Sequence, residues 1–149
     1  MYTYNKTAIP FEKSLSLKGI DNIVVKGMVP HGAQRFNVNL QRGGGANPEN
    51  IPLHVDARFN YGSDKNIMVF NDRKDGKWRS EERNAKAFPF AYGEKFKLKI
   101  RLHKDQYKIQ VCDRSIKDFN HRQPMDDVDT LRIDGKVELD EVKIETILD

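Results

Sequence analysis

The chain has 149 residues, 38% hydrophobic and 32% charged, with 26 Lys and Arg against 22 Asp and Glu for a formal net charge of +4. That length suits one domain with a real core and is too short for two of ordinary size, so the expectation is a single domain over 1–149 with its core at about 9–149. No apolar run could span a membrane, and the opening MYTYNKTAIPFEK does not resemble a signal peptide, which predicts synthesis in the cytosol. The lone Cys112 excludes an internal disulfide and fits a reducing compartment, which makes the Asn5-Lys6-Thr7 sequon a chance match.

Taken in order, the chain reads as a series of short strands, with no sustained helical periodicity. SLSLKGI (14–20) opens the series after Pro10, and NIVVKGMV (22–29) follows and stops at Pro30-His31-Gly32. RFNVNLQR (35–42) sets Phe36, Val38 and Leu40 against Asn37, Asn39 and Gln41, a half-buried strand with one polar face. GGGANPEN (43–50) is a loop built for turning. Its glycines do not make a phosphate cradle, because neither Lys-Ser/Thr nor a helix start follows.

The stretch from His54 to Arg83 gathers polar, charged and aromatic residues at spacings a core does not require. In HVDARF, Val55, Ala57 and Phe59 alternate with His54, Asp56 and Arg58, so an extended backbone lines three polar side chains on one face. After the turn YGSDKN comes IMVFN, in which Met68 and Phe70 oppose Ile67, Val69 and Asn71. Asn71 then lies beside the first polar row. The loop DRKDGK leads to Trp78, Glu81 and Arg83: an aromatic plate, a carboxylate and a guanidinium. Planar side chains suit the hydroxyl rim of a pyranose, and an indole suits the C–H face of galactose.

The second half is plainer. KFKLKIRLHK (95–104) and QYKIQV (106–111) alternate apolar residues with Lys and Arg. Such a cationic stripe suits an anionic partner, but a solvated outer sheet face accounts for it better, so no nucleic acid is expected. SIKDFNHR (115–122), VDTLRIDG (128–135) and KVELDEVKIETI (136–147) complete the run. His31, His103 and His121 are scattered without ligand spacing, so no metal or cofactor is expected. Many short strands in this length predict an all-β, two-sheet antiparallel sandwich.

These residues resemble the galectin family, which carries H-x-N-x-R, then V-x-N, then W-x-x-E-x-R. Here the pattern appears as His54-Val55-Asp56-Ala57-Arg58, Val69-Phe70-Asn71 and Trp78-Arg79-Ser80-Glu81-Glu82-Arg83, with Ala87 to Gly93 similar to the family's FPF-x-x-G segment. Asp56 departs from the usual Asn, and Ala57 from the usual Pro. The resemblance implies a jelly-roll sandwich and reversible binding of β-galactosides, the galactose-containing glycans of glycoproteins or glycolipids. It assigns the carbohydrate contacts to His54, Asp56, Arg58, Asn71, Trp78, Glu81 and Arg83. It also implies a non-covalent homodimer and export from the cytoplasm without a signal peptide. Two carboxylates, Asp56 and Glu81, would equip a glycosidase, but Arg58 and Arg83 keep a neighbouring carboxylate ionised, and the expectation is no enzyme. The alternative is a galectin fold that has lost sugar and binds protein.

Overall fold

The computed structural model describes residues 1–84 and 87–147, which form two antiparallel sheets face to face with no α-helix among them. The first sheet runs β1 (Tyr2–Asn5), β13 (Glu138–Thr146), β3 (Ile20–Met28), β9 (Lys95–Leu102), β10 (Gln106–Val111) and β11 (Arg114–Asn120). The second runs β2 (Phe11–Ser14), β12 (Thr130–Gly135), β4 (Arg35–Arg42), β5 (Asn50–Tyr61), β6 (Asp64–Lys74) and β7 (Lys77–Trp78), with β8 (Glu82–Asn84) also paired to β6. This is the jelly-roll sandwich that the strand count and the resemblance predict.

The alternation read from sequence decides which residues meet between the sheets. Phe36, Val38 and Leu40 of β4, Val55 and Ala57 of β5 and Met68 and Phe70 of β6 face Ile23, Val25, Leu98, Ile100 and Ile109 of the other sheet. Apart from the small Ala57, side chains of this kind each contribute about 1.5–3 kcal/mol when fully buried. The AFPF segment fills one end of the core. Phe90 packs on Phe36, Phe59 and Phe96 at centroid distances of 5.4, 6.0 and 5.2 Å, and Phe88 packs on Phe59 at 4.9 Å.

Two segments differ from the sequence reading. SLSLKGI is not a strand: β2 is Phe11–Ser14, and the following residues carry the chain from one sheet to the other before β3 begins at Ile20. Leu15 and Leu17 alternate because both reach the core at this crossing, which imitates a strand pattern. The segment read as a short N-terminal extension supplies β1, an edge strand paired with β13 from Tyr2 to Asn5. Of the span expected for the domain, residues 85–86 and 148–149 lie outside the described residues.

Candidate functional site

Register in the second sheet assembles the site. Asn39, His54 and Asn71 lie side by side across β4, β5 and β6, the row below them is Asn37, Asp56 and Val69, and the next is Arg35, Arg58 and Ile67. All project from the face opposite the core. The two-residue turn Gly62-Ser63 returns the chain into β6, and β7 folds back so that Trp78 pairs with Arg73. A groove of about 360 Å³ results, lined by Arg35, His54, Arg58, Tyr61, Asn71, Trp78, Arg79 and Glu81. A larger cavity of about 580 Å³, between the edge strands β1 and β2, is lined by Tyr2, Tyr4, Leu15, Ile20 and Ile144 with a few lysines and hydroxyls. Of these two, it is the smaller groove on which planar hydrogen-bonding groups converge, so it is the candidate site.

Trp78 is about half exposed, at 49%, and its ring lies 4.6 Å from that of His54 at 54°. The Arg73 guanidinium lies 5.8 Å from the indole and donates to the carbonyls of Pro48 and Gly76, which ties the platform to two loops. His54 is buried, and its Nδ1 donates to Asn39 Oδ1 at 2.6 Å, leaving Nε2 as an acceptor. Burial first, and then the nearby charges of Arg35 and Arg58, pull the His54 pKa down to about 3, so the ring is neutral at physiological pH. In this tautomer His54 offers a ligand an acceptor and no donor.

Arg58 is the hub. Its Nε donates to Asp56 Oδ2 at 2.8 Å, its Nη1 to Asp64 Oδ2 at 2.6 Å, and its Nη2 stands 3.6 Å from Glu81 Oε2. Glu81 Oε1 accepts from Arg83 Nε and Nη2 at 3.0 and 2.6 Å, while Arg83 Nη1 donates to Asp64 Oδ1 at 2.8 Å. Asp64 therefore bridges the two arginines that orient Glu81. Read only as part of a turn, it gave no sequence signal.

Asp56 is fully buried and lies beneath the groove rather than on its wall. Burial pushes its carboxyl pKa up, against the pull of Arg35 and Arg58. Asn71 is also largely committed to the protein. Its Nδ2 donates to the Arg79 carbonyl, and its Oδ1 accepts from the Asp72 amide and from Arg122 Nη1. One amide hydrogen of Asn71 is left for the groove. Behind it, Asp72 accepts from Arg79, Arg122 and Gln123, a cluster the sequence reading did not find. No group of His, Cys, Asp and Glu suited to a metal ion occurs among the described residues.

A two-sheet sandwich with planar polar groups and an exposed indole gathered on one sheet has the architecture of a lectin domain. Residues 9–144 match the galactoside-binding lectin family model, and the chain belongs to that family, the galectins. It is 33% identical to Galectin-7 of Rattus norvegicus, over 95% of this chain and 97% of that protein. It is also 33% identical to a 32 kDa beta-galactoside-binding lectin of Haemonchus contortus, over 95% of this chain and 48% of that one. The chain thus spans about half the length of such 32 kDa relatives. The crystal structure of galectin LEC-6 from Caenorhabditis elegans superposes with a TM-score of 0.82 at 24% identity, covering 96% of this chain and 95% of that one, which shows the shared fold. Members of this family are lectins without catalytic activity, and the glycosidase alternative falls with that membership.

Proposed function

We propose that the groove binds β-galactosides reversibly, with Trp78 as the stacking plate. The convergence of His54, Arg58, Asn71 and Glu81 beside one exposed indole carries the reading. The axial 4-hydroxyl donates to His54 Nε2 and accepts from Arg58, whose position Asp64 and Glu81 fix. The 6-hydroxyl accepts the remaining Asn71 amide hydrogen and donates to Glu81, and Arg83 with Glu81 reaches the neighbouring sugar. A carboxylate oriented in advance by Arg58 and Arg83 lowers the ordering cost of binding. Few contacts in an open groove correspond to affinities on the order of micromolar to millimolar, about 4 to 8 kcal/mol. The test is a titration of Trp78 fluorescence with lactose and with cellobiose, whose terminal 4-hydroxyl is equatorial; a signal from both or neither sinks the reading.

Asp56 acts through Arg58 rather than on the sugar. Its carboxylate holds the Arg58 Nε that would otherwise turn to ligand, so Asp56→Asn tightens lactose binding by about 1 kcal/mol, a neutral hydrogen bond's worth. Calorimetry that finds weaker binding in the variant makes Asp56 a support for the site instead. The engagement of Arg58 by Asp56 and Asp64 is the one observation favouring the alternative, a galectin fold that binds protein without sugar.

Weak sites gain strength from valency, and we infer that two copies associate without a disulfide through their terminal strands. The edges of both sheets at that side, β1 and β2, carry unpaired backbone, and Tyr2 is 60% exposed there. Sedimentation at tens of micromolar reads a dimer; a monomer under those conditions removes this source of bivalence.

A further inference from the structure

Register gives the outer face of the first sheet a charge arrangement that alternation alone does not show. Lys95, Lys97, Lys99 and Arg101 project outward from β9, and β9 is a central strand with β3 on one side and β10 on the other. These lysines therefore do not guard a sheet edge against pairing. Lys26 of β3 stands directly opposite Lys97, and Lys108 of β10 directly opposite Arg101. Like charges so placed destabilise a sheet. Carboxylates offset part of this from the two flanks: Glu141 lies 3.7 Å from Lys26, Asp113 3.0 Å from Lys97 and Asp118 4.0 Å from Lys108. Among the described residues, Lys99, Arg101 and Lys143 form no ion pair. Val24 lies between Lys99 and Lys143 in one row across β9, β3 and β13, and it is 4% exposed although it points away from the core. It floors a hollow of about 100 Å³ walled by Lys26, Lys97, Lys99, Lys143 and Glu145. Lysine stems lie along such an apolar floor and leave their ammonium groups at the rim.

We propose that this strip is a second binding face, for a linear sulfated polysaccharide, on the side of the sandwich opposite the candidate groove. The inference does not depend on the galactoside reading. The cations run along β9 from Lys95 to Arg101, roughly 20 Å of extended chain, with neighbours on the adjoining strands about 5 Å away. Carboxylates border the strip on both sides, Glu141 and Glu145 on β13 and Asp113 and Asp118 beyond β10. A narrow chain laid along β9 meets the ammonium groups between these borders, whereas a flat anionic membrane would press on both borders and be repelled. The outward residues of β3, β9 and β10 include no aromatic ring, since Phe96 and Tyr107 are buried in the core, so the strip offers no stacking platform for single-stranded nucleic acid. Lysine supplies a compact point charge with turning donors, which suits sulfate esters spaced irregularly along a chain, while a planar arginine fork suits a carboxylate. A bound polyanion also relieves the repulsion of Lys26 with Lys97 and of Lys108 with Arg101.

Calorimetry on the intact chain with a heparin hexasaccharide, with and without excess lactose, tests this. The hexasaccharide should bind equally in both conditions, and its affinity should fall roughly twentyfold between about 50 and 200 mM salt, as expected for about three neutralised cations. Its presence should raise the melting temperature. Lys99→Gln, Arg101→Gln and Lys143→Gln together should weaken binding about tenfold or more. Lys18→Gln, Lys65→Gln and Lys136→Gln remove the same charge from exposed positions off the strip and should leave most of the affinity. Displacement of the hexasaccharide by lactose overturns the proposal, because the anion then occupies the groove. So does an equal loss in the two triple variants, which reflects net charge alone, or undiminished binding of the fully desulfated hexasaccharide. Tighter binding of polyglutamate, single-stranded RNA or phosphatidylserine vesicles under the same conditions overturns it in favour of that partner, and absence of binding at the lower salt ends it. If the strip variant fails to fold, competition with lactose and the ranking of these polyanions on the wild-type chain still decide the matter.

Discussion

Trp78→Ala loses about 1–3 kcal/mol of lactose affinity, the value of an aromatic face against an apolar patch of C–H groups, and at weak starting affinity this takes binding out of easy measurement. The effect is specific to the plate because the side chain is half exposed and its removal leaves no cavity in the core. His54 then loses the ring at 4.6 Å that covers one side of it, and its neighbouring backbone pairs with Asn71 remain. Stability should change little, so a melt close to wild type separates loss of contact from loss of fold. Trp78→Phe should recover part of the affinity, as a smaller plate in the same place. Wild-type affinity in the Ala variant removes Trp78 from the site.

The strands that build the groove were legible because each keeps a strict period of two. Val38, Val55 and Phe70 go to the core and Asn39, His54 and Asn71 to the other face, and pairing places those last three in one row. Arg35 heads the same alternating set as Asn37 and Asn39, so its position on the groove face was available from the pattern, although nothing in the pattern singled it out. What could not be read is the second layer. Asp64 sits at the end of a turn, and only the folded hairpin brings it to Arg58 and Arg83. Arg122 lies 50 residues from Asp72 in the chain and meets it through the path of the strand order. The tautomer of His54 likewise depends on Asn39 from another strand. The crossing at Leu15 and Leu17 misled because alternation reports burial of every second residue and not backbone pairing.

Asp72→Ala should cost more stability than any change in the groove itself. The carboxylate is fully buried and accepts from Arg79, Arg122 and Gln123, which come from the segment after β7 and the segment after β11. Removing it strands the Arg122 guanidinium, only 19% exposed, with Glu82 and Asn71 as its remaining partners. Breaking a buried pair from one side costs about 3–5 kcal/mol, and the partial exposure of both arginines places this case near about 3. For a chain of this size that is a fall in Tm of roughly 6–12 °C. Burial raises the Asp72 pKa, but the hydrogen bonds from Arg79, Gln123 and Arg122 outweigh it and hold the carboxyl below the usual carboxylate range. Its stabilisation is therefore present above the unfolded value of 3.8 and is lost as pH falls through the lower folded value, and the Ala variant should lack that part of the acid transition. The damage should reach the groove, since Arg122 and the Arg79 carbonyl hold the Asn71 amide in place. Asp72→Asn keeps two acceptor lone pairs without the charge and should fall between the two. A Tm for Asp72→Ala within about 2 °C of wild type, less than 1 kcal/mol on this scale, shows instead that water and the neighbouring carboxylates satisfy the arginines, and that the cluster does not fix Asn71.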